Sequence, residues 1–179
     1  MKNTIDTARL ARTDQTLDGV LPVERLPRLA SLLATPEGSI DWHARGWRSA
    51  RPEGGHDDFL ELSFSGSVQP ACIRCLDPVT VEIGDTRRYR LVDSEAEADR
   101  LDPEDEEYDV LVGGSRFDLD ALIEDEAILA LPPMPRHDAC EPGTLRDEET
   151  PTAEEPEKPF AALQRLRRNG PPGGGETPH

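Results

Sequence analysis

Hydrophobic and polar residues alternate along several stretches of this chain and recur at helical spacing in others. The first helical stretch opens near Pro27, which suits a first helical position, and puts Leu26, Leu29, Ala30 and Leu33 on one face. Thr35-Pro36-Glu37-Gly38 ends it. From Ile40 to Trp47 the period drops to two. Ile40, Trp42 and Ala44 share one side while Asp41, His43 and Arg45 share the other, predicting a half-buried strand. Beyond a loop with Pro52 and Gly54-Gly55, Leu60, Leu62, Phe64 and Val68 alternate with Glu61, Ser63, Ser65 and Ser67. Val79, Val81, Ile83, Tyr89 and Leu91 resume the alternation after a turn at Leu76-Asp77-Pro78. The two runs predict an antiparallel hairpin with residues 72–75 at its tip.

Residues 93–109 hold ten acidic groups and a single Arg100, which predicts a solvated loop. A short strand, Tyr108 to Val112, precedes Gly113-Gly114. The strongest helix follows, with Asp118 as its cap and Leu119, Leu122, Ile123, Ala127, Ala130 and Leu131 as an apolar stripe. Glu124-Asp125-Glu126 is expected to face mostly outward, and Pro132-Pro133 stops the helix. Residues 141–157 are proline- and acid-rich without periodicity and predict a disordered linker. Residues 158–168 change sign: Lys158, Arg165, Arg167 and Arg168 are basic, and Phe160, Leu163 and Leu166 make a narrow apolar strip on a short helix opened by Pro159. Residues 169–179 form a tail. The N-terminal segment 1–21, with a turn-like break at Leu17-Asp18-Gly19-Val20, stands outside the domain expected at 22–140. The expected fold class is α+β: an antiparallel β-sheet with two flanking helices and a zinc-knuckle-like hairpin tip.

The placement of the thiols adds chemistry to this frame. Cys72 and Cys75 sit two residues apart, and His137 and Cys140 repeat the spacing. These are the only three cysteines, and with His137 they complete a set of four soft and borderline ligands in two pairs. Tetrahedral zinc takes four such ligands, and a two-residue gap lets both members of a pair reach one ion. The pairs also fit a redox dithiol, or reduced thiols without a partner. An odd, low cysteine count argues against a disulfide framework.

Of 179 residues 35% are hydrophobic, and there are 17 prolines and 14 glycines, so part of the chain is not expected to pack. A net charge of −17 opposes nucleic acid over most of the surface and favours a basic protein partner. No apolar run is long enough to cross a bilayer, and the N-terminus lacks a signal-peptide core, so the expected address is the cytoplasm, without a membrane partner. Neither a phosphate-binding glycine loop nor a nucleophile elbow is present, His43, His56 and His179 have no evident partners, and four protein ligands would fill a zinc site. The chain is therefore expected to be neither an enzyme nor a binder of a small-molecule substrate.

The run Cys72-Ile73-Arg74-Cys75-Leu76, the acidic stretch, and the helix Phe117-Asp118-Leu119-Asp120 through Ile123-Glu124-Asp125-Glu126-Ala127-Ile128-Leu129-Ala130-Leu131-Pro132 together resemble the YceD family. Pro135-Arg136-His137 with Cys140 and Lys158-Pro159-Phe160-Ala161-Ala162-Leu163 extend the likeness, which covers residues 60–168. The resemblance implies a ribosome biogenesis factor tied to accumulation or processing of the large ribosomal RNA, with no established enzymatic activity. It also raises Glu124, Asp125 and Glu126 from a solvated face to a docking surface for a basic ribosomal protein. Lys158, Phe160, Leu163, Arg165, Leu166, Arg167 and Arg168 become a tethered foothold on a protein groove or on RNA precursor. A metal-dependent RNA-processing enzyme and a structural zinc module with an unrelated partner are the alternatives.

Overall fold

Thirteen short and long elements follow one another in the computed structural model, which describes residues 3–102 and 107–140. They are β1 (Thr4–Ile5), α1 (Thr7–Arg12), β2 (Thr16–Pro22), a 3-10 turn (Val23–Arg25), α2 (Pro27–Leu32), β3 (Leu33–Thr35), β4 (Ser39–Ala50), β5 (His56–Pro70), β6 (Val81–Val92), α3 (Glu95–Leu101), β7 (Asp109–Val112), β8 (Phe117–Asp118) and α4 (Leu119–Leu129).

The main sheet runs β2-β4-β5-β6-β7, β3 pairs with the far end of β5, and β1 pairs with β8. Alternation along β4 and the middle of β5 fixes their register. Ile40, Trp42 and Ala44 lie opposite Gly66, Phe64 and Leu62, so one face of β4 and β5 is apolar throughout. That face is the core. Leu60, Leu62, Val68, Ile40, Leu29, Leu119 and Ile123 lose essentially all solvent contact there, each worth roughly 1.5–3 kcal/mol of transfer free energy. Helices α2 and α4 supply the other half of the cluster. Helix α1 crosses the sheet at Gly46, where a Cβ would stand 2.8 Å from the Ala11 nitrogen. Only glycine lets the helix backbone approach so closely.

Several expectations need correction. The sheet is mixed rather than antiparallel, because β6 and β7 run parallel. A parallel pair needs a crossover, and residues 93–108 provide it. Within that acidic stretch Ser94 accepts a hydrogen bond from the Glu97 N–H at 3.3 Å, Glu95 and Glu97 occupy the first turn, and Arg100 the last. Charges so placed complement the helix dipole, and α3 forms where a loop was expected. The flanking helices are accordingly four rather than two. The boundary drawn at residue 22 falls inside β2, which pairs with β4 from Thr16↔Arg45 to Pro22↔Ser39. Gly19 reads as a turn in sequence. Its actual use is room: a Cβ there would meet the Trp42 indole at 2.9 Å. Residues 141–179, with the linker, the basic segment and the tail, lie outside the described residues.

Candidate metal centre

The β5–β6 hairpin forms as its alternation predicts, and its tip is built by backbone hydrogen bonds. Ala71 bridges Pro78, Val79 N–H donates to the Pro70 carbonyl at 2.9 Å, and Cys72 N–H donates to the Asp77 carbonyl at 2.8 Å. Leu76 N–H returns to the Cys72 carbonyl at 2.9 Å, closing a turn that puts both thiols on one side. To close it, Leu76 takes φ +65°, a left-handed conformation that costs an L-residue about 1–2 kcal/mol. The second arm starts where α4 ends, with Ala130 as its cap. Pro132-Pro133 cannot continue the helix, and the chain turns back along the tip. Ile73 N–H donates to the Pro135 carbonyl at 3.0 Å, stitching the arms together.

This brings all four predicted ligands to one place. One donor atom from each of Cys72, Cys75, His137 and Cys140 lies within 4.8 Å of the others. Cys72 Sγ is 3.7 Å from Cys140 Sγ, and Cys75 Sγ is 3.5 Å from His137 Nδ1. A tetrahedral ion with Zn–S of about 2.3 Å and Zn–N of about 2.0–2.1 Å has S–S edges of about 3.8 Å and S–N edges of about 3.5 Å. The donors therefore fit a metal ion in spacing and in type. A disulfide, at about 2.05 Å, does not fit the sulfur separation, and all three cysteines are free. His137 Nε2 lies 3.1 Å from the Pro78 carbonyl. Donation there fixes the tautomer that leaves Nδ1 as the ligand.

The electrostatics agree. Backbone N–H groups of Cys75, then of Arg74 and His137, hold the Cys72 thiol down to about 5 against the opposing effect of burial. At Cys75 the Asp77 backbone N–H pulls downward, but burial and the neighbouring Cys72 and Cys140 sulfurs raise the thiol instead. The Cys72 thiol ionises readily, and its charge opposes ionisation of Cys75.

The acidic trio on α4 is placed differently from expectation. Glu124 and Glu126 are buried, at 6% and 8% exposure, and only Asp125 faces solvent. Glu124 accepts the Arg28 N–H at 2.7 Å and the Leu29 N–H at 3.2 Å, with Arg28 Nε at 3.0 Å. These are the first N–H groups of α2, whose N-cap residue Leu26 has no side-chain acceptor. Glu126 accepts from the Tyr89 hydroxyl at 2.7 Å and faces Arg87 at 3.4 Å. The Tyr89 phenol is pushed far up by burial and by Glu126. Asp125 pairs with Arg28. Sequence reasoning missed these latches because an acidic trio reads as a solvated face when the groups it meets are about 37 and 96 positions away.

At the opposite end of the sheet, Arg48, Arg51, His56, Asp57, Asp58 and Arg90 line an open cleft of about 460 Å³. Arg48 pairs with Asp58, and Arg51 and Arg90 both pair with Asp57. His43 and His56 are exposed. Lys158, Phe160, Leu163, Arg165, Leu166, Arg167, Arg168 and His179 lie outside the described residues. No helix among the described residues is long and apolar enough to cross a membrane.

No solved structure matches this chain. The family model for the large ribosomal RNA subunit accumulation protein YceD matches residues 60–167, from the start of the core stretch of β5 and through both ligand pairs. With well over half of its length matched, and both arms of the metal cluster inside the match, this chain belongs to the YceD family of large ribosomal RNA subunit accumulation proteins.

Proposed function

We propose that this protein promotes accumulation and processing of large-subunit ribosomal RNA in the cytoplasm by binding, not by catalysis. A structural Zn²⁺ held by Cys72, Cys75, His137 and Cys140 is part of that reading. The observation that carries it is the donor set: four protein atoms lie within 4.8 Å of one another, and if all four bound one ion they would leave no position for a reacting water. Bound there, the ion crosslinks the hairpin tip to the segment after α4. The chain's charge of −17 suits its body to a cationic ribosomal protein. The basic residues Lys158, Arg165, Arg167 and Arg168 suit a contact with RNA phosphate, weakened steeply by salt.

Depletion in cells tests the role. Large-subunit RNA is expected to fall relative to small-subunit RNA, and Cys72→Ser is expected to restore it poorly. Unchanged large-subunit RNA refutes the role. Cleavage of precursor RNA by the purified protein with magnesium, lost on substituting specific carboxylates, moves the role to catalysis.

A further inference from the structure

Leu76 is out of place for a residue that serves only the fold. Among the described residues, only it and Asp14 take a positive φ without being glycine. Aspartate tolerates that region because its short side chain can bond locally, whereas leucine gains nothing there. Nor does its side chain pack: 75% of Leu76 is exposed. Glycine would make the same turn without strain, and nothing among the described residues accounts for the leucine side chain. It is not alone. Ile73, 52% exposed, lies in the same turn, and Met134, 67% exposed, precedes the Pro135 carbonyl that Ile73 bonds. Half of the exposed large hydrophobic side chains among the described residues thus sit on the two arms that carry the metal ligands.

We infer that this tip, with Leu76 as anchor and Ile73 and Met134 beside it, inserts into an apolar hollow on a cationic protein. The metal ligands hold the two arms at a fixed spacing, which preorganises the three side chains before the partner arrives. Charge selects the occupant. Three thiolates, a neutral imidazole and a divalent ion leave one net negative charge at the base of the tip. Exposed Asp77 and Asp138 offset exposed Arg74 and Arg136 on the two arms, so the tip keeps that one negative charge, on a chain of net charge −17. With the charge of the whole chain behind it, such a surface favours a cationic protein over RNA. Arg74 and Arg136, exposed and without an ion pair among the described residues, are donors for the partner's backbone carbonyls at the rim. The inference rests on the proposed binding role and adds the surface through which it works.

The test uses the full-length, zinc-loaded protein and individually purified basic proteins of the large ribosomal subunit, titrated at moderate salt. Wild type is expected to bind at least one of them. Leu76→Gly is expected to weaken that binding roughly 10- to 100-fold, the range for exposing one buried leucine. The same variant keeps its zinc content and its melting temperature, because glycine relieves the positive φ. Ile73→Ser and Met134→Gln, both at exposed positions, weaken binding in the same direction. Equal binding by wild type and all three variants overturns the inference while leaving the binding role intact. If no cationic protein binds the wild type, the inference falls together with the reading of a basic ribosomal client. It is also overturned if Leu76→Gly weakens binding of single-stranded RNA but of no protein, or if it dissociates a homodimer instead.

Discussion

Replacing Glu124 by alanine tests whether the acidic trio of α4 is a latch or a surface. Helix α2 starts at Pro27, so the first N–H groups it must satisfy are those of Arg28 and Leu29. Both end on one Glu124 carboxylate oxygen, at 2.7 and 3.2 Å. Glu124→Ala removes a helix cap, worth about 1 kcal/mol. It also strands a buried N–H at Leu29 whose hydrogen bond to a charged acceptor is worth about 1.5–3 kcal/mol. The half-exposed Arg28 guanidinium adds little because solvent screens it. A loss of about 3 kcal/mol is expected, which at a urea dependence of about 2 kcal/mol per molar lowers the unfolding midpoint by roughly 1.5 M. Glu124→Gln keeps a neutral acceptor and should lose about half as much. Asp125→Asn, at an exposed position, should change stability by less than about 0.5 kcal/mol. An Asp125→Asn loss as large as that of Glu124→Ala refutes the latch, and so does a Glu124→Ala midpoint within about 0.25 M of wild type.

Metal removal by a chelator, or Cys72→Ser, should expose the Ile73 and Leu76 amides to hydrogen exchange while amides of β4 and the middle of β5 stay protected, because the core does not pass through the cluster. In the metal-free protein the Cys72 thiol titrates near 5 instead of its ordinary value, so the unfolded chain binds more protons than the folded one above that pH. Stability should therefore rise between about pH 5 and about pH 9 and be lost below, whereas Cys75, raised, acts in the opposite sense only at higher pH. Denaturation at about pH 5.5 and about pH 8.5, with thiolate absorbance followed in parallel, measures both, and a flat profile contradicts the thiolate assignment. Gly46→Ala should cost about 1–3 kcal/mol in a thermal melt, since the new methyl meets the α1 backbone at 2.8 Å. Tyr89→Phe leaves the buried Glu126 without its hydroxyl donor and should cost about 1–3 kcal/mol.

Features set by local pattern were legible in the sequence. The long strands announced themselves by period, α4 by its Asp118 cap, whose oxygen takes the Ala121 N–H at 3.1 Å, and the cluster by ligand spacing. Features set by distant partners were not. Gly19 looked like a turn because nothing local reveals that Trp42 will lie against it. The acidic density around residues 95–107 hid a capping signal at Ser94 and Glu97 that was present in the letters. Without α3 there was no crossover, and without a crossover no parallel pair. Leu26 at the start of α2 offers no cap, and the acceptor that replaces it comes from α4.

Asn3 bonds Asp120 through both its backbone and its side-chain nitrogen, and among the described residues β1 pairs with β8 alone. During synthesis Asn3 must wait for more than a hundred successors before Asp120 is available to it. A chain stopped before α4 lacks Asp120 and cannot form these two bonds to Asn3.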